Sequence, residues 1–437
     1  MSTEEGLKRE IGLFGITANI INIVIGSGIF VLPAFVSEGL GAAGILAYLF
    51  CGFLITIIML CFAEAGSKVT TTGGAYAYIE VAFGKYFGFL TTNLLIFGTS
   101  LMATAAVANA LANTLSYIFP IFTETLFRAG FFIAIFSGLA TINIIGVKKG
   151  INLIKFATVA KIVPLLLLII LGSTGIVVEH LHWKQNPAFS DIGKISLILF
   201  FAFQGAESSL SVGGEVKNPK KNIPRGILLS FLVILILYIA IQIVAQGVLG
   251  DSFANFKTAP LAEVAKRVMG PIGVTVMIIG AAISMFGYLS SDNLNMPRVL
   301  FRSSIDNVIP LKPLSYVHSK FATPYIAVIV FTSLGCFFAI TGEFKALAIF
   351  SSSSVLLVYL GVALAVIKLR VKKISDSDSF RIPGGYIVPM LSVVTIIWFL
   401  SNLTFEEMKG IVIFIAILST IYVLIKLINR KTNNQLK

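Results

Sequence analysis

Long apolar runs constrain this chain more than any other feature. Residues 195–206, 227–244 and 324–340 contain no charged side chain. A membrane-spanning helix needs about 20 mostly apolar residues, so the sequence holds material for about a dozen. Composition points the same way: 57% of the 437 residues are hydrophobic and 12% are charged. That charged share is about half of what soluble domains carry, too little to cover a water-soluble protein of this length. Disorder, collagen and a disulfide scaffold fail on low charge, 38 scattered glycines and three cysteines. The fold class is an all-α polytopic membrane protein.

The net charge of +13 could suggest nucleic acid as a partner. No aromatic-interleaved basic stripe exists, however, and the cations sit in short clusters between apolar runs. That is the positive-inside pattern of membrane proteins. Cys51, Cys61 and Cys336 lie within apolar runs, where neither a disulfide framework nor a zinc site is expected. His180 and His182 sit two apart on a polar loop and read as solvated. No metal or cofactor is expected. Residues 1–10 are charged and show no cleavable-signal pattern; the first apolar stretch continues into a span.

Twelve spans are expected, at 11–37, 42–66, 87–118, 127–146, 152–175, 192–215, 224–249, 271–300, 324–341, 345–369, 386–403 and 409–428. An even count puts both termini on one side. Of the 33 Lys and Arg, 24 fall on that side, eight on the other, and Lys161 lies inside the fifth span. Such a bias over short loops orients the chain with both termini in the cytoplasm.

Two spans are unusual. The first carries Gly26-Ser27-Gly28 at mid-depth, followed by Pro33. The sixth carries Phe203-Gln204-Gly205-Ala206-Glu207, then Gly213-Gly214. Backbone groups freed from the helical ladder are tolerated in hydrocarbon only where they line a cavity or bind something. Small residues can also serve close helix packing. Here the interruptions open two consecutive blocks of five spans. That is the sign of an inverted repeat with a substrate site between its halves.

The same residues carry a family resemblance. Asn22-Ile23-Val24-Ile25-Gly26-Ser27-Gly28-Ile29-Phe30 resembles the first-helix signature of the amino acid–polyamine–organocation superfamily of transporters. Gly73-Gly74-Ala75-Tyr76-Ala77-Tyr78, leading to Gly84 and Gly88-Phe89, is similar to its cytoplasmic re-entry before the third helix. Phe201 to Glu207, then Glu215-Val216-Lys217-Asn218-Pro219, resembles its sixth helix and following loop. Pro297-Arg298-Val299-Leu300 and Phe380-Arg381-Ile382-Pro383 resemble later cytoplasmic loops. The resemblance covers nearly the whole chain and extends to arginine–agmatine exchangers and proton-coupled amino acid permeases. It implies a single transporter domain, 1–437, of the leucine-transporter type. Residues 11–175 and 192–369 would be inverted five-helix repeats, with 386–428 supplying two further helices.

A zwitterion site follows from the two breaks. N–H groups at a half-helix N-terminus suit a carboxylate, and Gly26, Ser27 and Gly28 would supply them. Carbonyls of Ile23 and of Phe201 and its neighbours, including Gly205, would hold the ammonium. The resemblance makes Phe201 an aromatic lid. It makes Gly98, Thr99 and the Ser351–Ser354 run a cavity wall, although small-residue packing explains those serines equally well.

Charges within spans cost about 2.5–3.5 kcal/mol each at mid-depth. Glu64 and Arg298 lie near cytoplasmic ends and read as snorkelling or loop-paired. Lys161, Glu207 and Asp292 lie deeper. The resemblance ties Glu207 to gating and proton response, and puts Lys161 where other members hold a sodium ion. Asp292 stands where arginine exchangers carry a stacking aromatic residue, a departure from their pattern. Asp292 is either counter-ion to a cationic substrate or a proton carrier. Alternatively, Lys161 simply neutralises Asp292 or Glu207.

The expected function is secondary active transport of amino acids across the cytoplasmic membrane. It would be sodium-independent and work by proton symport or substrate exchange. A cationic amino acid or polyamine antiporter is the runner-up, and a channel the rival of another class. An intramembrane enzyme would need a catalytic set, and no His lies in any span. The implied partners are a small amino acid substrate, the lipid bilayer and, optionally, a second copy in a homodimer.

Overall fold

The computed structural model describes residues 12–69, 74–145, 150–184, 186–209, 216–321, 323–372 and 380–435. Among them the elements are helical, with no β-strand. The first expected span is broken in two. Helix α1 (Leu13–Val24) ends at Ile25, where ψ turns to 86°, and α2 (Gly28–Leu40) resumes after Ser27. A 3-10 turn at Gly41–Gly44 leads into α3 (Ile45–Lys68).

Short α4 (Ala75–Phe83) and α5 (Lys85–Asn93) are separated by Gly84, at φ 95°. The third span then passes through a π-helical stretch, Leu94–Ser100, before α6 (Leu101–Ser116). Helices α7 (Thr125–Ile145) and α8 (Gly150–Gly172) follow.

The sixth span is also interrupted. Helix α9 (Phe189–Leu199) tightens into a 3-10 turn at Phe200–Ala202, and α10 (Ala206–Ser209) follows Gln204 and Gly205. Gly205 has φ 111°, a conformation glycine adopts without steric cost. Gly213, Gly214 and Glu215 lie outside the described residues, as do Gly73, Lys148 and Lys149.

Helix α11 (Pro219–Leu249) and α12 (Pro260–Ile305) come next. Gly270, at φ 66°, kinks α12, so the eighth span starts at Pro271, as expected from the sequence. Proline suits that first-turn position because its missing N–H would have no partner there. Four more helices complete the chain: α13 (Tyr325–Thr341), α14 (Phe344–Val371), α15 (Ile387–Ser401) and α16 (Phe405–Gln435).

Among the described residues, seven helical stretches are long and apolar enough to cross a bilayer. Leu13–Val24, Lys161–Gly175, Tyr325–Thr341 and Ile387–Ser401 are shorter apolar helices. The two broken spans sit together, α1 against α10 and α2 against α9. Around them pack α11, α8, α6 and α14 through α12 and α3. Large apolar side chains point outward from α7, α15 and α16, including Ile133, Ile142, Val394, Ile397, Val412 and Ile417. Outward apolar faces of this extent suit lipid rather than water.

One buried ionic cluster ties the end of α3 to α14. Glu64 Oε1 accepts from Lys68 Nζ at 2.7 Å and from Arg370 Nε at 2.7 Å. Its other oxygen accepts from Arg370 Nη2 and, at 2.9 Å, from the Ile382 N–H. Glu64 is therefore loop-paired.

Candidate functional site

The two helix breaks touch. A Cβ built on Gly28 would lie 2.6 Å from Ala202 Cβ and 2.7 Å from its Cα. A Cβ on Gly205 would lie 2.8 Å from Ile23 Cγ2. Only glycine permits this approach, which is why both breaks need it. The Tyr238 hydroxyl lies 3.0 Å from the Ala202 carbonyl and 3.3 Å from that of Val24, so α11 bridges both breaks.

The first break turns polar groups inward. Gly26 N–H closes on Val24 O at 2.8 Å, and Phe30 N–H on Ser27 O at 3.0 Å. Gly28 and Ile29 occupy the first turn of α2, where N–H groups have no acceptor within the helix. Ser27 is 1% exposed, and its hydroxyl has no partner among the described residues. A buried orphan hydroxyl beside a helix N-terminus suits an anionic group. Phe201, next to Ala202 in the second break, is buried, its ring 5.9 Å from that of Phe344.

Lys161 is buried and reaches the end of α1. Its Nζ donates to Asn22 O at 2.8 Å and Ile25 O at 3.0 Å. Among the described residues it forms no ion pair with Asp292 or Glu207, so the neutralising-pair alternative is not what the fold builds. Glu207 instead caps its own break: its Oε2 accepts from the Gly205 N–H at 3.0 Å and from the Tyr359 hydroxyl. Asp292 Oδ2 accepts from Ser100 at 2.6 Å and from Thr104 at 2.5 Å.

The serine run lies against the π-helical stretch. Ser351 Oγ lies 2.9 Å from Thr99 O and 3.2 Å from Gln204 Oε1, with its one proton between the two acceptors. Gln204 Nε2 reaches Ser352 at 3.4 Å, while Ser353 bonds back to Ile349 O. A Cβ on Gly98 would fall 2.6 Å from Ser354 Oγ. Gly98, Thr99 and Ser351 therefore form a packed polar layer that joins the third, sixth and tenth spans. The Thr99 and Ser354 hydroxyls have no partner in it.

The sequence model of the family described as "Amino acid permease" matches residues 11–428. The chain belongs to this family. It is part of the amino acid–polyamine–organocation superfamily that the motifs resemble. The permease is 28% identical to the serine/threonine exchanger SteT of Bacillus subtilis (strain 168), over 90% of this chain and 91% of that one. It is 26% identical to the branched-chain amino acid permease BcaP of the same strain, over 99% and 96%. A methylthioribose transporter of that strain is 28% identical over 97% and 94%.

Several polar groups of the permease escape a reading by apolar runs. Tyr238 and Tyr359 count as hydrophobic there, although each places a hydroxyl on a break. Ser100 and Thr104 leave a signal in hindsight: four residues apart, they share one helix face. The π-helical stretch has no local signature in Leu94–Ser100 and is a form frequent at functional sites.

Proposed function

We propose that this permease is a secondary active transporter of amino acids that works by alternating access across the cell membrane. The observation that carries the reading is the buried, unpartnered Ser27 hydroxyl at the start of α2, packed against the break at 200–206. Gly26, Ser27 and Gly28 receive the substrate carboxylate. Carbonyls near Ile23, Phe201 and Gly205 receive its ammonium. Phe201 closes over the substrate, and Gly98, Thr99 and Ser351 form the wall behind it.

Lys161 fills with its own charge the place a sodium ion would need, so transport is sodium-independent. Coupling is by proton symport or substrate exchange, with Glu207 and Asp292 as the carboxylates within reach of the breaks. The twelve-span arrangement follows: repeats over 11–175 and 192–369, two further helices over 386–428, and both termini cytoplasmic. The bilayer surrounds the outward apolar faces, and a homodimer would share one of them.

The curated relatives are named for serine and threonine, for branched-chain amino acids and for methylthioribose. The side-chain pocket of this permease must therefore be read from its own residues. Purified protein in proteoliposomes should show saturable counterflow of a labelled amino acid, and a thermal-shift panel of the twenty amino acids and common polyamines should pick out the ligand. Flux that neither saturates nor shows counterflow would mean a channel and overturn the reading.

A further inference from the structure

The eighth span presents one polar stripe to the broken first span. Ser284 Oγ reaches Gly26 O at 3.4 Å, and Tyr288 Cδ2 lies 3.9 Å from where a Gly26 Cβ would stand. Asp292 and Asn295 continue the same face, Asp292 partly accessible and Asn295 exposed. The stripe thus runs from the break to open space past Asp292.

Asp292 is held there as an acceptor. Two hydroxyls, from Ser100 and Thr104, converge on Oδ2, and Oδ1 has no hydrogen-bond partner among the described residues. Nor does any Lys or Arg among the described residues form an ion pair with it, and Lys161 is engaged with α1 carbonyls. A carboxylate inside a span without a cation of its own is costly, so the group takes up either a proton or an incoming cation. A merely structural tie between α12 and α6 would need only a neutral acceptor.

We propose that Asp292, positioned by Ser100 and Thr104, is the side-chain subsite of the carrier and takes a substrate whose long side chain ends in a cation. This rests on the carrier reading above and adds the substrate class. Reach decides between side chains. Asp292 lies four residues beyond Tyr288 along α12, a rise of about 6 Å. A four-carbon stem such as that of lysine extends about 6 Å from the α-carbon. A serine-sized hydroxyl falls about 4 Å short. Ser100 and Thr104 fix the carboxylate so that Oδ1 meets the incoming ammonium. Charge-assisted hydrogen bonds of that type are the strong ones.

Binding of L-lysine and L-norleucine to the purified full chain tests this, because the two share a four-carbon side chain and differ by the ammonium. The wild type should bind lysine at least tenfold more tightly, and Asp292→Asn should bring the ratio down towards one. Thr104→Val should also shrink the ratio and Thr104→Ser restore it, whereas general structural damage would weaken both ligands alike. If the wild type binds norleucine as tightly as lysine, the subsite assignment is wrong while the amino acid carrier stands. That comparison needs no variant to fold. If neither lysine nor any other amino acid binds, the carrier reading itself fails.

Discussion

The ammonium of Lys161 sits 3.0 Å from the carbonyl oxygen of Ile25, where the first helix has just ended. A second bond, 2.8 Å to Asn22 O, makes the lysine a clamp on the unwound backbone. Carbonyls freed at a mid-membrane break need a donor or a cation, and the ammonium of a lysine 5% exposed supplies both.

The first prediction follows from that clamp. Uptake should be equal in sodium and choline buffers. Lys161→Ala should abolish transport, because two carbonyls then lose their donor and the charge leaves with it. Strong sodium stimulation of the wild type would assign the lysine a purely structural role.

The contact between the breaks gives the second. At Gly28 an added methyl meets the backbone of Ala202, which cannot rotate away. Overpacking of this kind costs about 1–3 kcal/mol. Gly28→Ala should therefore weaken substrate binding by roughly ten- to a hundredfold, and Gly28→Leu should abolish it. Gly130→Ala, with nothing within 4 Å, serves as the control. An unchanged binding isotherm in a well-folded Gly28→Ala variant would sink the carboxylate assignment.

These positions also show what the sequence made legible. Both breaks could be placed because glycines at mid-span are visible against apolar neighbours, and the observed gaps at residues 25–27 and 203–205 fall on them. The eighth span starts at Pro271 because the Gly270-Pro271 pair stops one helix and opens another. Partners of the buried charges could not be read. Lys161 faces carbonyls 136 and 139 residues away, and Asp292 faces hydroxyls on the third span. Such pairings depend on how helices rotate against each other, which no local pattern records. The π-helical stretch escaped for a related reason, since tertiary packing rather than local propensity sets it.

Orientation yields the third prediction. Lys184 and Lys312 are both exposed and lie on opposite sides of the membrane under the cation bias. In intact cells, an impermeant thiol reagent should label Lys184→Cys and leave Lys312→Cys untouched until the membrane is opened. Labelling of position 312 in intact cells would reverse the topology. The same experiment serves the region of Lys149, which lies outside the described residues.

The last prediction concerns the Glu64–Arg370 cluster, where burial makes single and double changes behave differently. Glu64 is fully buried and takes donors from Lys68, Arg370 and the Ile382 N–H, while Arg370 also donates to the Gly385 carbonyl. Removing one member of such a pair leaves an uncompensated charge and costs about 3–5 kcal/mol, whereas exchanging both for neutral groups of similar size is often nearly neutral. Glu64→Gln should therefore lower the thermal unfolding temperature in detergent sharply, because Lys68 and Arg370 both lose their carboxylate. Arg370→Met added to Glu64→Gln should recover part of the loss, because only Lys68 is then left without a carboxylate and glutamine still offers its oxygen to Lys68 and Ile382. Transport separates this from a gate. If the double variant is stable and transports normally, the cluster only fastens α3 to α14 and the 380–385 segment. If it is stable but slow to transport, the ion pair itself opens and closes during the cycle.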